Sequence, residues 1–425
     1  MSSLTSHKNA FVKNIFELQT PLAQGLLCTL IANFIVGILN FLSQIWFARV
    51  LGIEIVGQYA LIIVALDLSC LPINFGFNLS VIRHKGETKT FRGALALILI
   101  QIHFIPIICG IIYLGYYLVA PQQATVLFIP YMLMIFSKIL CIFSTIIYAP
   151  LESKLHYRFL SGARLVSTIF GLGIASLFVF SKPGVYCFVA RDLAIATALL
   201  CITWISVRPN LKPEFSRQAL YPVWRFSLRV WGLNLLEKGA LRLDYALVGL
   251  ALGRDSLGIY FQIRAIMEGI LAFCLKPIQT VMYAFYCNHV SPKLLFNRFV
   301  KYGNLLMLIS AIFFSLLIIP FSKSLIIFIL GDEWIRGFTL LPGFMFYLWA
   351  ILWFENIKVM AMSKDLHHLV MWGRIFQITA LIVLLIPTIK LWGFAGAGTV
   401  VGMSAGVLAG LSATMFQRRL QNVEI

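Results

Sequence analysis

The sequence is poor in charged residues, and poorest in acidic ones. Charged side chains occupy 12% of its 425 positions, and Asp and Glu supply 16 of them against 34 from Lys and Arg. A soluble domain of this length would be about one quarter charged. The composition therefore excludes an ordinary soluble globular protein, and the net charge of +18 needs an explanation of its own.

Motifs for several chemistries are also missing. The chain has no GxxxxGK(S/T) loop for nucleotide phosphates, no HExxH zinc motif and no GxSxG nucleophile motif. Its eight cysteines lie inside apolar runs, and no two have CxxC spacing. We therefore predict that the protein is not an enzyme. We also predict no metal site and no cofactor, apart from a coupling ion such as H⁺ or Na⁺.

Long apolar runs dominate what is present. Hydrophobic residues make up 60% of the chain, which is about 255 residues. One helical span of a bilayer takes about 20 apolar residues, so twelve spans take about 240. Because the runs are continuous rather than alternating, they favour helices. The predicted spans are 22–48, 57–82, 91–119, 122–149, 159–180, 183–206, 222–250, 257–288, 300–330, 338–362, 367–390 and 393–416.

The connections between these runs alternate in charge. One set of loops, together with both ends of the chain, holds seventeen positive residues, and the other set holds five. Positive residues accumulate on the cytoplasmic side of membrane proteins, so this asymmetry predicts that both termini are cytoplasmic. Since the loops account for much of the basic charge, we predict no nucleic-acid partner.

A short pattern occurs twice, on either side of the midpoint of the chain. The segment 51–59 reads Leu-Gly, four residues, Gly, one residue, Tyr, and the same pattern recurs at 252–260. A weaker third copy begins at Leu330-Gly331 and includes Gly337. Repeats in membrane proteins are typical of transporters with a site between the repeats. We predict an all-α polytopic protein of two parallel six-helix lobes, 1–208 and 209–425.

Ionisable side chains inside the predicted spans are the candidate site residues. Each costs about 2.5–3.5 kcal/mol at the centre of a membrane helix, so such groups face a bundle interior or an aqueous cavity. Nine bases and six acids lie in the spans, and this surplus favours an anionic passenger. The predicted substrate-binding cations are Arg264, Lys138, Arg191, Lys238 and Arg242. The predicted coupling or gating carboxylates are Asp67, Glu237, Asp244 and Glu268.

Other interpretations of some of these residues stay open. Arg164, Lys276, Lys358 and Arg374 can extend to the inner headgroups instead of facing a cavity. Arg264 and Glu268 are four residues apart on one helix and can form a structural ion pair.

The stretch from Ala48 to Arg83 resembles the O-antigen repeat-unit (Wzx-type) flippases of the multidrug/oligosaccharidyl-lipid/polysaccharide (MOP) exporter superfamily. The family reads ARVLG, Gly and Tyr or Phe, then an acidic residue, FGFNLS and a basic residue. In this chain the acidic position is Asn74. The motif residues are Gly52, Gly57, Asn74, Gly76, Asn78 and Arg83. The segment 242–264 is similar to the family's seventh and eighth spans.

The resemblance implies a V-shaped bundle of spans 1–6 against 7–12 around a central cationic cavity. It implies a flippase that moves an undecaprenyl-diphosphate-linked oligosaccharide from the inner to the outer leaflet of the bacterial inner membrane. Its further partners would be a polysaccharide polymerase and the chain-length machinery. Transport would be driven by an ion gradient or by the membrane potential.

Two other functions are compatible with part of the sequence. A multidrug or cation antiporter of the same fold would need an acidic cavity, which the surplus of bases disfavours. A membrane polysaccharide polymerase would need a large external loop, and no predicted external loop exceeds about ten residues.

Overall fold

The computed structural model describes residues 21–422, apart from 85, 155, 182–183, 209–211, 270–308, 310–311, 314, 317 and 364–366. The described part is built from helices. They are α1 (Pro21–Cys70), α2 (Phe77–Arg83), α3 (Thr88–Val119), α4 (Pro121–Ser153), α5 (Tyr157–Ser181), α6 (Tyr186–Val207), α7 (Arg217–Leu252), α8 (254–269, as far as the description extends), α9 (Ser322–Ile329), α10 (Leu341–Ser363) and α11 (His367–Asn422). Short 3₁₀ helices occupy Leu71–Ile73 and Asp332–Leu340.

Seven helical segments are apolar and long enough to cross a membrane. Two of them, Cys28–Ile73 and His368–Phe416, run for 46 and 49 residues, about twice what one crossing takes. Each is interrupted by a glycine with non-helical backbone angles, Gly52 in α1 and Gly393 in α11. The chain is therefore a multi-pass membrane protein, and each long helix corresponds to two of the predicted spans.

Helix α7 covers the seventh predicted span but contains seven charged residues. Its start is fixed by Ser216, whose hydroxyl accepts a hydrogen bond from the Ala219 amide at 3.3 Å. Most of the eighth predicted span, including Lys276, and part of the ninth lie outside the described residues. The total of twelve spans, the two lobes and the cytoplasmic position of the termini remain predictions.

The prediction of one continuous helix over 57–82 is wrong. Helix α1 ends at Cys70, and the chain then forms the 3₁₀ turn Leu71–Ile73 before α2 begins at Phe77. Pro72 stands at the start of the 3₁₀ turn, and Gly76 adopts left-handed angles (φ 68°, ψ 40°). Hydropathy continues across this break, so the apolar run alone could not locate it.

Helices α10 and α11 pack through glycines. A Cβ atom at Gly402 would lie 2.5 Å from the carbonyl oxygen of Gly343, and Gly343 in turn faces the backbone of Gly398. Small residues allow this approach, which dispersion forces then stabilise. Large apolar side chains on the outer surface, such as Leu118 and Phe180, are exposed and face the lipid.

We expect Gly402→Ala to destabilise the protein by about 1–3 kcal/mol, because the added methyl group overlaps the backbone of α10. Thermal unfolding of the purified protein in detergent measures the change. The matched control is Gly410→Ala on the same helix, where a Cβ meets no atom within 4 Å. An equal loss of stability in both variants would contradict the close packing of α10 and α11.

Candidate functional site

A cavity of about 490 Å³ opens between helices α1, α6, α7 and α8. Aromatic rings of Phe41, Tyr59, Tyr245 and Phe261 form part of its wall. Its charged lining residues are Asp67, Arg191, Asp192, Arg242 and Glu268. The structure therefore brings together five charged groups from both halves of the sequence, four of which the sequence predicted to be site residues.

The predicted surplus of cations is not found on these walls. Three carboxylates and two guanidinium groups line the cavity. The prediction of a cationic cavity rested on the surplus of bases over acids in the spans. In the described structure most of these bases are instead paired with acids from other helices, because an unpaired charge inside a membrane protein is costly.

Asp67 joins the two halves of the sequence. Its carboxylate accepts contacts from Lys138 Nζ at 3.3 Å and from Arg242 Nε at 2.9 Å. Lys138 stands on α4 and Arg242 on α7, so the carboxylate on α1 is shared by cations from two other helices. On its own helix Asp67 has no basic neighbour within one turn. The sequence could therefore identify Asp67 and Lys138 as unusual, but not as partners.

Each copy of the internal repeat ends in a tyrosine that donates a hydrogen bond to a carboxylate. Tyr59 donates to Asp192 Oδ2 at 2.8 Å and accepts from Arg191 at 2.8 Å. Tyr260 donates to Asp244 Oδ2 at 2.7 Å. The sequence predicted these two tyrosines only as parts of the repeat, whereas the structure shows that each hydroxyl contacts a carboxylate.

The group around Asp244, the carboxylate that Tyr260 contacts, is closed to the cavity. Arg264 and Asp244 are each 1% exposed, and their Nη1 and Oδ2 atoms lie 2.8 Å apart. Arg264 also contacts Glu268 at 3.1 Å, as the spacing of four residues predicted, and its guanidinium lies 4.0 Å from the centre of the Tyr347 ring. In this conformation Arg264 and Asp244 cannot touch a passenger, whereas Glu268 lines the cavity.

A separate ionic cluster joins α7 to α10 and α11. Lys358 contacts Glu237 at 2.5 Å and Glu355 at 3.6 Å. Arg374 lies 3.9 Å from Glu237 and 3.8 Å from Glu355. In this structure Lys358 and Arg374 are paired with acids of the bundle, Glu237 on α7 and Glu355 on α10, and their extension to the headgroups stays an alternative prediction. Glu237, a predicted coupling carboxylate, belongs to this cluster rather than to the cavity wall.

Lys238 differs from the other predicted cations. Its side chain is exposed, and no carboxylate of the described residues lies within 4.0 Å of its amine. It stands one turn before Arg242 on α7 and is close enough to Lys138 and Asp67 for their charges to act on it. It is therefore an available positive charge beside the Asp67 contacts.

The motif glycines set the course of the backbone. Gly52 (φ 77°, ψ 175°) and Gly253 (φ 82°, ψ −179°) occupy equivalent repeat positions and share one conformation. This left-handed region favours glycine. A Cβ at Gly76 would lie 2.9 Å from Val230 Cγ1 on α7. Asn74 caps the 3₁₀ turn, Asn78 lies in the first turn of α2, and Arg83 is its last residue.

The two copies of the repeat also touch each other. A Cβ at Gly57 would lie 2.6 Å from the carbonyl oxygen of Arg254, and one at Gly258 would lie 2.7 Å from that of Ile53. Arg254 and Glu54 add an ion pair at 3.0 Å. The backbones of α1 and α8 are thus in direct contact at the end of the bundle that the loop charges assign to the outside. This contact closes the two halves against each other there.

Comparison with known proteins gives one family. The family model described as polysaccharide biosynthesis protein matches residues 46–337, which is more than half of the chain. No curated protein sequence matches significantly.

Solved structures share the fold at low sequence identity. The lipid II flippase MurJ in an inward closed conformation has a TM-score of 0.71 at 13% identity, over 92% of this chain and 87% of that one. An inward-facing multidrug resistance MATE transporter of the MOP superfamily has a TM-score of 0.62 at 13% identity, over 92% of this chain and 95% of that one. A MOP superfamily transporter from Pyrococcus furiosus is described as having a binding pocket of reverse polarity. Its TM-score is 0.59 at 13% identity, over 95% of this chain and 97% of that one.

We expect Asp67→Asn to lower the stability of the protein by about 1–3 kcal/mol, because it leaves Lys138 and Arg242 without their shared carboxylate. Thermal unfolding in detergent measures this. Adding Lys138→Met to Asp67→Asn should restore part of the loss, since it removes one of the two uncompensated charges. If the stability losses of Asp67→Asn and Lys138→Met simply add in the double variant, the two residues do not form a direct pair.

We expect Gly258→Leu to separate the two repeat copies, since the added side chain occupies the space of the α1 backbone. Cysteines placed at Glu54 and Arg254, in a background without the native cysteines, should cross-link efficiently with a short thiol reagent. Gly258→Leu should remove most of that cross-link. Gly232→Leu, at a site with no atom within 4 Å of a Cβ, is the control and should leave it unchanged.

Proposed function

The chain belongs to the polysaccharide biosynthesis protein family, and from this we propose that it is a transporter of a lipid-linked oligosaccharide. The passenger is an undecaprenyl-diphosphate-linked O-antigen or related repeat unit. It crosses from the inner to the outer leaflet of the bacterial inner membrane. The fold shared with MurJ and with MATE transporters supports movement by alternating access rather than enzymatic chemistry.

The contact between Asp67 and two cations carries the proposal. Arg242 is 30% exposed at the cavity, and it is held there by a carboxylate rather than by a buried hydrogen-bond network. A diphosphate carries more charge than one carboxylate and, like a carboxylate, matches the fork of a guanidinium group. An anionic passenger can therefore replace Asp67 as the partner of Arg242 and Lys138, with Lys238 adding a third positive charge.

The released carboxylate supplies a coupling step. Once the passenger holds Lys138 and Arg242, Asp67 loses both cations and becomes an uncompensated charge in a partly buried site. Such a group takes up a proton or a Na⁺ ion. When the passenger leaves, Asp67 pairs with the cations again and gives up that ion. In this scheme Asp67 is the coupling carboxylate, and Glu268 is the other predicted one that lines the cavity.

The test is export of surface polysaccharide in a strain that depends on this protein. Arg242→Ala should reduce export at least about tenfold, the loss expected when a charge-assisted contact to the passenger is removed. Lipid extracts should show accumulated undecaprenyl-diphosphate-linked oligosaccharide. Arg336→Ala, which removes an exposed arginine from the connection before α10, is the control and should export normally. Normal export by Arg242→Ala, Lys138→Ala and Lys238→Ala variants would exclude this function for the cavity.

One observation favours a second candidate function. Carboxylates outnumber guanidinium groups three to two on the cavity wall, which suits a cationic passenger of a multidrug antiporter. Efflux of a cationic dye from cells that carry the protein distinguishes the two. Dye efflux with an intact surface polysaccharide would favour the antiporter, whereas a polysaccharide defect without dye efflux would favour the flippase.

A further inference from the structure

A second cavity, of about 280 Å³, lies between the end of α2 and the first turns of α7. It is separate from the central cavity and shares no lining residue with it. Its lining residues are Arg83, His84, Pro222, Arg225 and Phe226. Helix α2 precedes the predicted lobe boundary and α7 follows it, so the pocket is formed by both halves of the sequence.

The chemistry of this pocket is that of an anion site. Two guanidinium groups and an imidazole line it, and no carboxylate does. Among the described residues, neither Arg83 nor Arg225 has a carboxylate within 4.0 Å, in contrast to Arg191, Arg242 and Arg264 in the central region. Two neighbouring guanidinium groups without an acidic partner repel each other, and a bound anion would relieve that repulsion.

The pocket is also held in shape. The Arg83 guanidinium lies 4.8 Å from the centre of the Phe226 ring, a stacking contact that leaves the N–H groups at its edge free. His84 Nδ1 lies 2.8 Å from the Ser80 carbonyl oxygen, so the ring is fixed and Nε2 is its remaining polar atom. These contacts reduce the entropy lost when the side chains bind a ligand.

Neighbouring aromatic groups place the pocket at a membrane surface. Phe75 packs against Trp224, and Trp231 Nε1 donates to the Pro72 carbonyl oxygen at 2.9 Å, which joins the segment before α2 to α7. Tyr221 and Trp224, one on each side of Pro222, have exposed rings. Tyrosine and tryptophan concentrate at the level of the lipid headgroups. The loop charges assign this end of the bundle to the cytoplasm.

We propose that this pocket binds a phosphate group of a lipid at the membrane surface. Arginine pairs match phosphate oxygens bidentately, and the exposed aromatic rings beside the pocket accommodate the adjoining lipid. The phosphate comes either from a phospholipid headgroup or from a polyprenyl diphosphate. The site goes beyond the proposed function, because binding of a phospholipid here does not depend on transport of a passenger.

Native mass spectrometry of the purified full-length protein tests the proposal. The probes are undecaprenyl diphosphate, phosphatidylglycerol and, as a zwitterionic comparison, phosphatidylcholine. The wild type should retain at least one anionic lipid, and Arg83→Ala/Arg225→Ala should retain it at least about tenfold less. Arg83→Lys/Arg225→Lys keeps the charge without the fork, so its retention should be intermediate. Thermal unfolding of each variant checks that it is folded.

The control removes the same charge from the same end of the bundle. Lys154→Ala/Lys212→Ala replaces two exposed lysines outside the pocket and should bind as the wild type does. If Arg83→Ala/Arg225→Ala loses binding of undecaprenyl diphosphate alone, the ligand is the passenger's diphosphate. If it loses binding of phosphatidylglycerol equally, the pocket is a general site for lipid phosphates. An equal loss in the control, or no loss in either arginine variant, overturns the proposal.

Discussion

The cost of placing a charge inside a membrane is the constraint on which this structure depends. The chain places many ionisable groups within its helices, and the described structure satisfies most of them by pairing helices that are far apart in sequence. Asp67 holds cations from α4 and α7, and Glu237 holds cations from α10 and α11. Each pair fixes where two or three helices meet, so the same interactions that make the charges tolerable also define the architecture around the cavity.

These pairs differ in how firmly they are closed. The Arg264–Asp244 pair is fully buried and surrounded by tyrosines, which makes it a structural element of the second half. The Asp67 contacts are partly exposed and line the cavity. The proposed transport uses both kinds of pair: buried pairs that keep helices together during movement, and accessible pairs that a passenger can replace. The proposed exchange of Asp67 for a phosphate uses the accessible kind.

The repeat explains how one short pattern serves both halves. In each copy the first glycine turns the chain through the same left-handed conformation, the second allows the backbone of the other copy to approach, and the tyrosine contacts a carboxylate. These features recur at the same spacing in both copies, and α1 and α8 meet near their glycines. Contact at the predicted outer end, with a cavity further along the helices, is what the proposed alternating access requires of one of its states.

The sequence by itself determined the class of the protein. Apolar runs predicted the helices, the repeat marked equivalent connections at 51–59 and 252–260, and the cost of buried charge identified Asp67, Lys138, Arg191 and Arg242 as unusual. It failed at the break after Cys70, where hydropathy continues through a turn, and it overestimated the positive charge of the cavity. Which acid meets which base, which pairs are sealed and which line the cavity were decided only by the tertiary structure. The physical reason is that hydropathy and spacing act along one helix, whereas an ion pair depends on the distance between atoms of different helices.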